Sequence, residues 1–193
     1  MKSRLSLLLI LLFIPLVVLA QSEHLTFKGI PIDGTLSHFS SQLVKKGFTK
    51  MYSEDGQAIF QGDFAGYKDC MVVVSTLDQE DLVYMVAVAF PSKDQWALLE
   101  SNYSSLKDML TTKYGEPSEV IEEFQSRIQP DNDRDKLYEL KFDRCTYKTI
   151  FETEKGRIGI TISHESVMKC FVVLGYVDGI NGARAHDGAM DDL

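Results

Sequence analysis

Hydrophobic residues recur along this chain with two different periods, and the switching between them outlines an α+β protein. From Leu36 to Lys46 the apolar positions are Leu36, Phe39, Leu43 and Val44, the i, i+3, i+7, i+8 spacing of one helix face. Thr35 stands where a cap is needed, and Gly47 where the chain turns left-handed, with Phe48 folding back on the last turn. A longer stripe, Trp96, Leu99, Tyr103, Leu106 and Leu110, predicts a second, buried helix closed by Gly115 and Pro117. Ser92 and Gln95 have capping-box spacing at its start. Residues 134–143 are ambiguous; Asp133 can cap a short helix there, with Leu137 and Leu140 inward.

Between these stretches the period drops to two. Ala58 to Phe64 alternates, and a turn follows at Ala65–Asp69. Cys70–Leu77 and Leu82–Phe90 are apolar on both faces and are separated by Asp78-Gln79-Glu80-Asp81. In the second of these, Leu82, Tyr84, Val86, Val88 and Phe90 take one side and Val83, Met85, Ala87 and Ala89 the other. Strands of this kind need cover on each face. Val83, Met85, Ala87 and Ala89 therefore form either the seat of the first helix or a partner surface. Ser118–Gln125, with Glu119, Glu122 and Glu123, reads as an edge strand or a loop. A second meander follows over Cys145–Thr153, Arg157–Ser163 and Met168–Tyr176, with a polar face through Lys148, Glu152, Thr161 and Ser163.

The expected architecture is one α+β domain over 21–181, built of antiparallel β-meanders with two or three helices, and a flexible tail at 182–193. It divides into halves at 35–116 and 117–177. Ala-Ile-Phe at 58–60 and Thr-Ile-Phe at 149–151 open comparable runs, so the pattern allows a duplicated helix-β-β-β unit.

The motifs Gly29-x-Pro31-Ile32-Asp33-Gly34, Lys46-Gly47-Phe48, Tyr114-Gly115-Glu116-Pro117 and Gly175-Tyr176-x-Asp178-x-x-Asn181 resemble those of small exported Bacteroidetes proteins of unassigned function. The resemblance spans most of the chain after residue 20 and implies location and build, with no activity attached. The doubled pattern is also similar to the β-lactamase-inhibitor-protein architecture, in topology and without shared motifs.

Lys2 and Arg4, the apolar run Leu5–Ala20, and Val18 and Ala20 at −3 and −1 read as a signal peptide over 1–20, cleaved before Gln21. The run falls short of the ~20 residues that span a bilayer, and Pro15 interrupts it. No cysteine follows for lipid attachment, so a periplasmic or secreted protein is expected, with no membrane span after signal removal. Cleavage removes two cations and takes the net charge from −8 to −10, which disfavours nucleic acid as a partner.

The chain's chemistry is sparse. Cys70, Cys145 and Cys170 include no C-x-x-C spacing, and their odd number leaves a thiol unpaired. Cys145 and Cys170, on the first and third strands of one meander, sit ~9–10 Å apart. A disulfide tolerates only about 4.4–6.8 Å, so this pair is predicted to stay unbridged. His24, His38, His164 and His186 lack metal-ligand spacing, and the nucleophile-elbow, P-loop, dinucleotide and zinc-protease motifs are absent. Asp131-Asn132-Asp133-Arg134-Asp135 resembles the opening of a calcium loop, but Lys136 takes the glycine position and Phe142 that of the bidentate glutamate. A solvated capping loop accounts for it better. No catalytic, metal or cofactor-binding residue is assigned, and no cofactor is expected.

The resulting expectation is an exported, non-enzymatic protein that docks a protein partner in the cell envelope or self-associates. The alternatives are an exported hydrolase whose site, for example His164 with Cys170 or Cys145, assembles only in three dimensions, and a structural component of envelope assembly.

Overall fold

The computed structural model describes residues 23–77, 80–165 and 169–191, so the expected signal peptide lies outside the described residues. The chain enters through a small hairpin, β1 (Thr26–Phe27) and β2 (Ile30–Pro31). Helix α1 (Leu36–Lys45) leads into a meander of β3 (Thr49–Glu54), β4 (Gln57–Phe64), β5 (Tyr67–Thr76) and β6 (Val83–Ala89). The second part runs α2 (Trp96–Tyr114), β7 (Glu119–Phe124), α3 (Asp133–Lys141), β8 (Cys145–Thr153), β9 (Gly156–Glu165) and β10 (Lys169–Asp178), then α4 (Gly179–Asp191). The two meanders join into one antiparallel sheet of order β3-β4-β5-β6-β10-β9-β8-β7. The protein is α+β, and among the described residues no helix is long and apolar enough to cross a membrane.

Local chemistry accounts for α1 as the pattern predicts. Thr35 Oγ1 accepts from His38 N at 3.2 Å, Gly47 adopts φ 93°, and buried Phe48 returns its N–H to Leu43 O. Helix α2 departs from expectation. It begins at Trp96, and Gln95 at the cap position supplies no side-chain hydrogen bond. Asp133 Oδ2, far along the chain, accepts from Ala97 N at 3.1 Å instead. Asn132 then takes over the capping of α3 that Asp133 was expected to perform, accepting from Asp135 N at 3.0 Å.

One face of the sheet carries the core. Phe60, Val72, Val88, Leu174, Ile160 and Thr149 are cross-strand neighbours in a single buried row. Helices α1 and α2 and the β1–β2 hairpin all pack on this side, through Phe39 and Leu43, the Trp96–Leu110 stripe, and Phe27, Ile30 and Ile32. Phe27 stacks on Phe64 at 5.1 Å and meets Tyr176 edge-on at 5.6 Å. The one hydroxyl in the row is satisfied, because Thr149 Oγ1 hydrogen-bonds Tyr103 Oη at 2.5 Å. Helix α1 is therefore not the cover of the opposite face.

The registers obey a two-fold relation centred on the pair Ala87–Gly175. It carries Val88–Leu174 onto Tyr176–Val86, and Ala89–Val173 onto Val177–Met85. Moving outward, Val73 corresponds to Gly159, Ile59 to Ile150 and Tyr52 to Glu119. The Ala-Ile-Phe and Thr-Ile-Phe segments thus occupy equivalent places. The repeated unit is one helix and four strands, one strand more than the expected helix-β-β-β, with α3 inserted in the second copy.

The two outer motifs of the sequence meet in a polar lock. Asp178, fully buried, accepts from Leu25 N (2.8 Å), His24 Nδ1 (3.0 Å), Ile180 N (3.1 Å) and Asn181 N (2.8 Å). Asn181 Nδ2 donates in turn to Ile32 O, Asp33 Oδ1 and Val83 O. Of the residues expected to form a loose tail, 182–191 instead continue α4, which Asp178 caps and the Arg184–Glu80 ion pair tethers, and 192–193 lie outside the described residues. Burial acts to raise the Asp33 carboxyl, but the Asn181 and Gly34 N–H groups and the His24 and Arg184 charges outweigh it and hold it below 3.8. A carboxylate depressed on folding stabilises above its unfolded pKa and loses that contribution as pH falls through the folded one. Asp33→Asn should therefore lower the melting temperature near neutral pH and change it little in strong acid.

Candidate functional site

The sheet face opposite α1 and α2 is the candidate; α4 reaches it at one end, where Gly182 lies against Val177. Tyr52, Ile59, Val73, Ala87, Gly175, Gly159 and Ile150 are successive cross-strand neighbours there, an apolar row across seven strands. Met71, Ala89 and Val173 flank it on one side, Met85 and Val177 on the other. Ala87, Gly175 and Gly159 make the floor low at its centre. A Cβ on Gly175 would meet nothing closer than 3.9 Å, whereas one on Gly159 would touch Ile150 Cδ1 at 3.0 Å, so Ile150 fills the space above Gly159.

Of the four residues expected on this surface, Met85, Ala87 and Ala89 are there, each half-buried. Val83 is not. Ser75 pairs with Met85 but Thr76 pairs with Val83, which leaves Tyr84 as the extra residue of a β-bulge. The bulge shifts the alternation by one, and Val83 joins Val86 and Val88 in the core with no exposed surface. The expected set omitted Ile59, Val73, Val173, Gly175 and Val177. The apolar run of β5 was their signal, and only the sheet order could place β10 beside β6.

The two halves treat this face differently. Tyr52 answers Glu119, Gln61 answers Glu152, Met71 answers Arg157 and Gln57 answers Lys148 across the two-fold relation. In the C-terminal half these groups pair with one another, Lys148 with Glu119 at 2.9 Å and Arg157 with Glu152 at 2.6 Å. The N-terminal equivalents carry no charge. Only at the outer edge does the relation reverse, Glu54 answering Ile121.

The other places where chemistry could gather are occupied by structure. His164 and Cys170 are cross-strand partners, and His164 Nε2 bonds Asp143 Oδ1 at 3.1 Å. Burial pushes the Cys170 thiol up, the opposite of what a nucleophile requires. Burial likewise raises Cys70 to about 11 and Cys145 to about 12. All three are free thiols, with β9 lying between the strands of Cys145 and Cys170. A thiol reagent near pH 8 should thus leave the folded protein unlabelled and modify all three after denaturation. Rapid labelling of Cys170 in the native state would instead point to an accessible nucleophile. In the 131–135 run, Asn132 Nδ2 donates to Asp131 and Asp135, while Asp133 serves α2. An open cleft of about 690 Å³ lies between the α1 N-terminus and the β3–β4 and β5–β6 turns. Its Asp81 accepts from Leu36 N, and its Glu80 from Arg184. No family model, characterised protein or solved structure with which the chain was compared matches it.

Proposed function

We propose that this is an exported binding protein without enzymatic activity, which docks a protein partner in the cell envelope on the open face of its sheet. Export is supported by the basic start, the short apolar run and the small residues before Gln21. Docking is supported chiefly by the apolar row from Tyr52 to Ile150, which lies opposite α1, α2 and the β1–β2 hairpin and which α4 borders only at Val177, where Gly182 packs on it. A large apolar side chain left in water forgoes roughly 1.5–3 kcal/mol, so a contiguous uncovered group of them marks a contact surface.

The test is cross-linking in the native envelope, with wild type and Met85→Lys compared. Wild type should begin at Gln21 and capture a partner. The variant should keep its melting temperature and lose that partner. Capture unchanged by Met85→Lys, or a mass retaining residues 1–20, contradicts the proposal.

A further inference from the structure

We infer that the occupant of this face is an amphipathic helix of a partner protein, apolar toward the sheet and cationic along its flanks. It seats on the N-terminal half, β3 to β6, together with β10. The inference rests on the docking proposal above and adds which part of the face is used and by what chemistry.

The internal two-fold relation supplies the control that a single sheet face lacks. The C-terminal half shows how this fold dresses the face for water: Arg157 with Glu152, Lys148 with Glu119, and Ile150 folded over Gly159. The same backbone positions in the N-terminal half are Met71, Gln61, Gln57, Tyr52 and Val73, which neither pair as ions nor carry charge. Equivalent backbones put equal demands on folding, so the difference reflects what each half faces. The wet half carries charges, and the uncharged half carries a surface fit for desolvation.

Size and charge narrow the occupant. The uncharged patch spans four strand spacings, roughly 19 Å, by about 15 Å along the strands, on the order of 300 Å². A stable dimer needs about 800 Å² from each partner, so a second copy of this chain is poorly served. A helix of about 10–12 Å diameter fits that width. The low centre at Ala87, Ala89 and Gly175 lets a helix approach closely. The charges bordering the patch are Glu54, Asp63 and Asp69 on the N-terminal strands and Arg157 beside Val177. Lys68 is already bound to Asp63 at 3.3 Å and Arg157 to Glu152 at 2.6 Å, which leaves the border acidic. The chain carries a net −8, so a second copy is repelled and cationic flanks are attracted.

The test uses two synthetic amphipathic helical peptides, one of leucine and lysine and one of leucine and glutamate. They are titrated onto the folded protein and onto the double variant Gln61→Glu/Met71→Arg. That variant copies the Glu152–Arg157 pair onto the equivalent N-terminal positions and leaves the net charge unchanged. The leucine–lysine peptide should bind wild type, and at least about tenfold more weakly to the double variant, with the leucine–glutamate peptide binding neither. Ala87→Lys is the second variant should the first not fold, with the same expected loss. Equal binding of the leucine–lysine peptide to wild type and variants would show attraction by net charge alone and overturn the inference. So would binding of the leucine–glutamate peptide, binding of neither peptide, or a wild-type dimer that the double variant dissolves. None of those outcomes touches the envelope capture at Met85, which tests the docking proposal separately.

Discussion

Lysine at position 83 should unfold the protein, while lysine at position 85, two residues along the same strand, should leave it intact. Val83 has no exposed surface and packs with Val86 and Val88 beneath the helices. A lysine there must either bury an unpaired ammonium or expel it and open the core, at about 3–5 kcal/mol. A domain with about 5–15 kcal/mol of total stability has little margin for that. Met85 is half-buried on the open face, where a lysine stem can lie along Val177 and Ser75 with its ammonium in water, for under about 1 kcal/mol. Chemical denaturation of the two variants reads the contrast. Similar midpoints for both would mean that the bulge at Tyr84 is misplaced and that Val83 shares the open face.

Asp178→Ala should cost about 3 kcal/mol, as much as a large core truncation, although it removes no apolar surface. The carboxylate is the common acceptor for His24, Leu25, Ile180 and Asn181, and it lies where water cannot replace it. Its loss leaves the Leu25 and Asn181 N–H groups buried without an acceptor and α4 without its cap. Hydrogen exchange should then show α4 and the β1–β2 hairpin opening together, ahead of the central strands. Protection unchanged in both elements would mean that they are held by packing alone.

The sequence was legible wherever one element's own chemistry decides its form. Thr35, Gly47 and Phe48 define α1 within a few residues, and the alternation of Ile158, Ile160 and Ile162 marks β9. It was illegible where a decision belongs to a distant residue. Asp133 caps α2 from across the fold, so the local Ser92–Gln95 pattern pointed to the wrong start. Strand β3, exposed at all six positions, shows no periodicity because it has no buried side chain and is held chiefly by pairing with β4. The segment 182–191, rich in glycine and alanine, has weak helical tendency of its own and takes its order from Asp178 and Arg184.

The candidate face was half legible for the same reason. Apolar residues on both sides of β5 and β6 announced a second surface, and the polar face of the C-terminal meander was plain. Neither could reveal that the meanders lie edge to edge in one sheet, with α1, α2 and the β1–β2 hairpin all on one side. Nor could a one-residue bulge be read from a run in which every residue is apolar, so Val83 fell on the wrong side.

Site-resolved photo-cross-linking in the native envelope tests the docking claim most directly. A photoreactive residue is placed in turn at Val73 on the open face, at Gly159 beneath Ile150 in the charged half, and at Met109 on the exposed side of α2. The account predicts one discrete adduct from Val73, little or none from Gly159 and none from Met109. An adduct from Met109 with none from Val73 would contradict it, placing the contact surface on the helices and leaving the open face as bare sheet.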